Sequence, residues 1–427
     1  MSQSDVSQSD VSKDRRERRT ESSVYAFVED LRGEGPDLVL DRVLGTYGCD
    51  GLTVAAAYHR ARDVTPHGAS RVTLRRDGVH FLPPADLFGG LRLQPPVQPG
   101  AEEEPLRALR RSTSERGAGL SGWTVFLHNT TLGLAHPDVT QENCFGDRAA
   151  PADLCPAHPD VRAYATALAR SVARLGVDRV VAESLHFGTF GHGYHHERSF
   201  VEFGPLEDFL LGLCFCPFCA ERAETAGVDA RSARREAERT VSRVLEGAAP
   251  LPGGLSPETL GGQVGESVAA YALSRRETVG SLVASVASGV AEEGSGLVFL
   301  DLTGAIKGYG DGLPTGGPAV DEAWRTGIDP AAVAPTVPGY AVLAYARDPA
   351  RIAEDLTAYR TAVGDDCALR AVLRPGVPDT SSAAHLAEKV GAAAATADAV
   401  DFYHYGLAPL PVLDRIPSAL AHARPSA

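Results

Sequence analysis

Eight short runs of β-branched, aromatic and aliphatic residues alternate with Ala-, Arg-, Glu- and Leu-rich stretches of helical spacing, and this alternation constrains the fold more than any other feature. The runs are 24-VYAFVE-29, 53-TVAAAYH-59, 122-GWTVFLHN-129, 178-DRVVAESLH-186, 297-LVFLDLT-303, 340-YAVLAYA-346, 369-LRAVLR-374 and 400-VDFYHYG-406. Between them stand helical patterns such as 160-DVRAYATALARSVARLG-176, 350-ARIAEDLTAYRTAV-363 and 382-SAAHLAEKVGAAAATA-397. Alternating βα units build a parallel sheet, and eight of them predict an α/β fold, the (β/α)8 (TIM) barrel. Two features interrupt the repeat: a ribbon, 70-SRVTLRRDGVHF-81, after run two, and a long excursion between runs four and five, read as a helical insertion over about 188–294. A doubly wound sheet is the competing architecture. The first run is not followed by a Gly-rich phosphate fingerprint, so the sequence lends a dinucleotide fold no support.

With 427 residues, 44% of them hydrophobic, the chain can bury a large core. Its net charge of −14 argues against nucleic-acid partners, which call for a basic face. No run of about 18 apolar residues offers a membrane span, and the leader MSQSDVSQSDVSKDRRERRTESS has no apolar segment of signal-peptide type. The expectation is a cytoplasmic protein with a disordered tail over 1–22 and a barrel over 23–427. Oligomeric state is not legible.

Barrel enzymes carry their chemistry at the C-terminal ends of the strands, so the polar residues closing each run are the candidates. They are Glu29 and Asp30, Tyr58 and His59, His128 and Asn129, Glu183 and His186, Asp301, Tyr345 and Arg347, Arg374, and Tyr403, His404 and Tyr405. Glu183 interrupts an apolar strand where it should emerge into the mouth, and burial there would raise its pKa toward the range of a general acid. Asp301 reads as lying at the same phase of the next strand, which would set two carboxylates across a cleft as sugar hydrolysis requires. A loop-capping role for Asp301 is the alternative. His59, His128, Asn129, His186, Tyr345, Arg374 and His404 are then candidate substrate-binding groups. The excursion opens with 192-HGYHHERSF-200, a possible lid or polar subsite around His192, His195, His196 and Glu197; the second His of a zinc-protease helix motif is missing there.

Cys214, Cys216 and Cys219 fall within 213-LCFCPFC-219, three of only seven cysteines. C-x-C-x-x-C suits three corners of a tetrahedral zinc, with Cys155 in 154-LCPAHPDVRAY-164 preferred to Cys144 as the fourth ligand, because it precedes a proline and a helix start. Four thiolates leave no open coordination position, so such a zinc would be structural. Reduced core cysteines without metal are the plainer alternative.

A Glu closing strand four, C-x-C-x-x-C downstream of it and a further Cys after strand three together resemble the zinc-bearing β-galactosidases of the (β/α)8 glycoside hydrolase superfamily. The chain is also similar to bacterial proteins labelled hypothetical glycosyl hydrolases. The resemblance covers roughly residues 120–220 as motif and the rest only as barrel pattern. It implies Glu183 as acid/base and Cys155, Cys214, Cys216 and Cys219 as zinc ligands. Two departures stand against it: Ala182 replaces the family's Asn before the acid/base, and strand seven closes on Arg374 in place of a nucleophilic Glu. The expected function is thus a carbohydrate-active enzyme of glycoside hydrolase type with a small-molecule carbohydrate substrate, using Glu183 and Asp301. In Arg374, an acidic sugar would find an anion-binding group. The alternatives are a metal-dependent sugar isomerase, epimerase or lyase, and a pseudoglycosidase that binds sugar without turnover.

Overall fold

The computed structural model describes residues 20–192, 198–307 and 309–423. The eight runs form the strands β1 (Glu21–Ala26), β2 (Gly51–Tyr58), β3 (Gly119–Val125), β4 (Arg179–Glu183), β5 (Gly296–Asp301), β6 (Gly339–Leu343), β7 (Ala368–Leu373) and β8 (Ala399–Phe402). Each strand pairs in parallel with its chain neighbours, and β8 also pairs with β1 with Asp401 level with Ser23, so the sheet closes into an eight-stranded barrel. Some of the polar residues that end the predicted runs, among them His59, His128, Arg374 and His404, lie beyond the ladder. Asn129, for example, caps the short helix Thr130–Ala135 instead of ending a strand, its side chain accepting from the amide of Leu132.

Around the barrel lie α1 (Val28–Glu34), α2 (Pro105–Glu115), α3 (Pro159–Ala173), α4 (Glu266–Glu292), α5 (Pro349–Val363), α6 (Ala383–Ala394) and α7 (Ile416–Ala423). Strand faces can be assigned from what they touch. A Cβ on Gly122 would stand 2.5 Å from Val172 of α3, so Gly122 faces outward and Ser121 and Trp123 face inward. At the N-terminal end the interior holds a charged network. Arg370 donates to both carboxylate oxygens of Asp401 at 2.9 and 2.8 Å and to Glu21 at 2.9 Å, and Glu21 also pairs with Arg179 at 2.6 Å. Ser23 donates to Asp401 at 3.0 Å and shares a hydrogen bond with Thr53 at 2.8 Å. Higher in the barrel the lining turns aromatic, and that upper layer carries the candidate site.

The excursion after β4 is helical, with Pro205–Gly212, Pro217–Thr225, Ala230–Leu245 and Pro257–Gln263 preceding α4. α4 lies along α3, where Arg162 reaches the carbonyl of Thr278 at 3.2 Å and Arg170 bonds Glu293 at 2.6 Å. It therefore occupies the place of the ordinary crossover helix, and the additional segment ends before Glu266, short of the expected 294. Glu21 and Ser22 belong to β1, so the tail expected over 1–22 is shorter by those two residues; residues 1–19, like His195, His196 and Glu197 of the expected lid, lie outside the described residues. The expected ribbon exists as Ala61–Val64 paired with Val72–Arg75, followed by Gly78–Val79 antiparallel to the end of β2. Among the described residues no helix is long and apolar enough to cross a membrane.

Candidate active site at the barrel mouth

Glu183 is the last residue of β4, on the inward face two residues beyond Val181, which is level with Trp123 of β3. The indole Nε1–H of Trp123 donates to Glu183 at 2.6 Å. Tyr25, Tyr58 and Tyr403 surround the pair: Trp123 packs edge-on against all three, with ring centroids 5.3, 4.6 and 5.8 Å away. The carboxylate keeps some solvent contact, yet this aromatic setting excludes most water. Burial pushes its pKa up to about 7, against the lowering pull of the Trp123 hydrogen bond and of His128. A carboxyl that holds its proton near neutrality inside a barrel mouth can act as a general acid.

His128 lies in the loop after β3, which runs along the end of β4, the amide of Leu127 donating to the carbonyl of Ser184 at 3.2 Å. The Nδ1 of His128 is 3.3 Å from Asp153, and its ring meets His59 edge-on at 5.0 Å. Burial works to lower the imidazole pKa, but Asp153, Glu183 and Asp77 outweigh it and hold the value above the ordinary one. Two cavities of about 370 and 450 Å³ flank this residue, and His128, Asp153, Gly188 and Thr189 line both. Each lies in the ~300–1,000 Å³ range of small-molecule sites. Opposite, the ribbon folds back over the mouth: Arg75 lies 3.3 Å above the ring of Phe27 and pairs with Glu29 at 2.6 Å and with Asp63.

Asp301 does not belong to this group. The register puts Ala182 level with Phe299, so Leu300, not Asp301, stands level with Glu183, and Asp301 is level with Val342 on the outer face. There it is fully buried and accepts from the hydroxyls of Tyr340 (2.6 Å) and Tyr359 (3.2 Å) and from the amide of Thr303 (2.8 Å). The expectation of a facing carboxylate pair is off by one residue, which in a strand means the opposite face.

Other candidates divide similarly. Asn129 is buried as a helix cap, with its carbonyl oxygen spent on Leu132. Arg374 closes β7 as expected, but it is no open anion site: it forms a two-pronged pair with Asp379 at 3.0 and 2.5 Å, Asp379 is shared with the buried Lys389 at 3.7 Å, and the guanidinium covers Tyr345 at 4.2 Å. His404 is buried under Phe27, ring centroids 4.0 Å apart, and its Nδ1 accepts from Gly406. His186 is buried with Nδ1 2.7 Å from the carbonyl of Phe187, and it lines the smaller cavity. His59 is half-buried, stacks on Tyr58 and lines the larger cavity. Trp123 and Asp153 are not among the candidates that the sequence offers, whereas Tyr403 is, as one of the polar residues closing run eight. Trp123 was recoverable as one of two tryptophans, at an inward phase of β3; Asp153 sits in a loop without periodic signal.

Behind the larger cavity the four cysteines meet. Cys155, Cys214, Cys216 and Cys219 are all buried, with sulfurs within 4.8 Å of one another. Cys155 lies 3.5 Å from Cys216, 3.4 Å from Cys219 and 3.8 Å from Cys214. A tetrahedral ion with bonds of 2.3 Å to sulfur sets its ligands ~3.8 Å apart, so the donor set fits one metal ion such as zinc. The amide of Glu142 donates to the Cys214 sulfur at 3.4 Å, and the hydroxyl of Tyr271 holds the Cys214 carbonyl at 2.6 Å, fixing the ligand loop. Cys144 is buried apart from the cluster, and its thiol is pushed up to about 11 by burial.

No protein family and no curated protein sequence matches this chain. In backbone it is similar to alpha-L-fucosidase isoenzyme 2 from Paenibacillus thiaminolyticus, with TM-score 0.54 and 11% identity over 95% of this chain and 49% of the other. The catalytic domain of beta-amylase from Paenibacillus polymyxa gives TM-score 0.54 and 10% identity over 95% and 99% of the two chains. A beta-galactosidase from the psychrophilic Marinomonas ef1 gives 0.53 and 12% over 94% and 59%. This chain thus spans about half the length of the fucosidase and all but 1% of the amylase domain. At these identities the likeness establishes the fold alone, a (β/α)8 barrel.

Proposed function

We propose that this chain is a carbohydrate-active enzyme of glycoside hydrolase type in which Glu183 protonates the departing glycosidic oxygen. The observation that carries this reading is the state of Glu183: inward at the end of β4, held by Trp123 among three tyrosines, and with its pKa pushed up to about 7. The half-buried rings of Tyr58 and Tyr403 offer a sugar apolar surface, and the adjoining cavities offer room on either side of His128. The barrels of the fucosidase, beta-amylase and beta-galactosidase lend the reading support at the level of fold. A neutral sugar suits a site in which Arg75, Arg374 and Arg325 are already paired with carboxylates. An isomerase reading needs Glu183 and Asp301 on one ion, and the two face opposite sides of the sheet.

The four-cysteine cluster is assigned to a structural zinc, held by Cys155, Cys214, Cys216 and Cys219. Bound there, the ion would tie the loop after β3 to the excursion after β4 and take no part in the chemistry. A reducing, cytoplasmic setting suits the buried thiols of this cluster.

One observation favours a second reading. Arg374 stands where the resemblance would put a nucleophilic Glu, as a binding protein descended from a glycosidase would show. The experiment is a panel of 4-nitrophenyl glycosides and matching disaccharides given to the wild-type protein and to Glu183→Gln. Hydrolysis of a panel member that falls roughly a hundredfold in the variant supports the enzyme. Saturable sugar binding by calorimetry, equal in both proteins and without turnover, supports the binding protein instead.

A further inference from the structure

Hydrolysis at a sugar carbon needs a second group besides the acid, either a nucleophile or a base that takes the proton of the attacking water. Asp301 faces outward, Glu29 and Asp63 are engaged by Arg75, and Asp379 by Arg374; of the two carboxylates that line the smaller cavity, Asp208 and Asp153, Asp153 is set against an imidazole. What the mouth offers instead is an imidazole: His128 lines both cavities, and the smaller of them also reaches Ser184, the residue after Glu183.

We propose that His128, oriented by Asp153, is the general base that activates water in this site, working against Glu183 as the acid. The inference rests on the reading of Glu183 given above. Asp153 is well placed to orient the ring. Its own amide is held by Ala150 at 3.1 Å, and its carbonyl accepts from Gln141 at 3.0 Å. Gly188 of the loop after β4 closes on it so tightly that a Cβ there would stand 2.3 Å from the Asp153 carboxylate. With Nδ1–H donating to Asp153, Nε2 is the basic nitrogen, and both cavities reach this residue.

The step balances as follows. A water proton passes to His128 Nε2 while the water oxygen bonds to the anomeric carbon. The bond from that carbon to the departing oxygen breaks, its electron pair stays on that oxygen, and the oxygen takes the proton of Glu183. One displacement inverts the anomeric configuration. Solvent then removes the proton from His128 and returns one to Glu183.

Activity requires His128 neutral and Glu183 protonated. The groups facing His128 are Asp153 and His59 in the mouth, Glu183 on β4 and Asp77 beside the start of the Thr130–Ala135 helix; Asp208 and Arg325 line the same cavity. The acid limb of the pH profile follows His128, above the ordinary histidine value, and the alkaline limb follows Glu183 near 7. The expected profile is a narrow bell around neutrality.

The test uses the full chain and any panel glycoside that it cleaves. Proton NMR of the first-formed product should show the inverted anomer; a retained anomer overturns the proposal without recourse to a variant. His128→Gln should slow aryl glycosides and disaccharides alike by roughly 100-fold or more, because attack by water is needed whatever departs. Azide at molar concentration should recover rate in that variant and give a glycosyl azide of inverted configuration. Asp153→Asn removes the negative charge that favours imidazolium, so the acid limb should move to lower pH with kcat reduced. Rates near wild type in His128→Gln, with Glu183→Gln slow, overturn the base alone. A fast Glu183→Gln overturns the reading on which it rests. Matching thermal melts for the variants separate these outcomes from unfolding.

Discussion

Replacing Glu183 by glutamine should do more than slow a reaction; it should make the protein more stable, and only in one range of pH. The carboxyl is carried from an ordinary 4.5 to about 7 mainly by burial, which means that the folded protein resists ionising it. The sign follows from linkage. With a folded pKa above the unfolded one, the contribution of the protonated carboxyl is present in full below 4.5 and is lost as pH rises through about 7. Carrying a carboxyl over that interval corresponds to about 3 kcal/mol, so the wild type pays that much to bury a charge at pH 8. Glutamine keeps the shape and can still accept from Trp123, but it never ionises. Urea unfolding of both proteins at pH 4.5 and pH 8 provides the comparison. Their difference should be near zero at the lower pH and favour Glu183→Gln by about 3 kcal/mol at the higher, a few degrees of melting temperature for a chain this long. A variant no more stable than wild type at pH 8 would refute the reasoning, since Glu183 would then be an ordinary solvated carboxylate, unfit to donate a proton at neutrality.

Asp301→Asn should lower stability by about 1–3 kcal/mol, because a buried acceptor of two tyrosine hydroxyls and an amide is weakened, while kcat of the folded fraction stays within a few fold of wild type. A fully stable but inactive variant would return Asp301 to the chemistry. Elemental analysis should find one zinc per chain, and Cys155→Ser should lose it and lower the melting temperature, whereas Cys144→Ser should keep it; zinc retained in Cys155→Ser contradicts the ligand set. Gly188→Ala drives a methyl toward the Asp153 carboxylate and should cut kcat tenfold or more with a far smaller effect on the thermal melt; an unchanged kcat would show that Asp153 does not need its place.

What was legible in the sequence follows from what each element must bury. The strands stand out because a barrel strand is covered on both faces and reads as a continuous apolar run. The same continuity hides the phase. In 297-LVFLDLT-303 no alternation tells which face a residue takes, and Asp301, expected inward, lies on the outer face. Glu183 was legible because a carboxylate ending such a run has few places to go other than the mouth. The ends of the strands were not, since Phe126 and Leu127 continue the apolar run of β3 although they lie beyond its ladder, and that departure depends on the neighbouring loops. Asp153 depends on tertiary packing alone: its partner is 25 residues away, and the glycine that closes on it is 35 residues further on.

The charged network at the base of the barrel has a consequence for assembly. Arg370, Asp401, Glu21 and Arg179 come from four strands, β7, β8, β1 and β4, and satisfy one another only when all four present the same face inward. A one-residue slip of β7 would turn the guanidinium of Arg370 into the apolar layer between sheet and helices and leave Asp401 without its partner. Uncompensated buried charge costs several kcal/mol, whereas sliding one aliphatic run past another costs little. The strands of this barrel are so uniformly apolar that hydrophobic burial discriminates weakly between closures. These four side chains act as a key that admits one alignment of the closing strands and rejects its neighbours, and they thereby fix which residues reach the mouth.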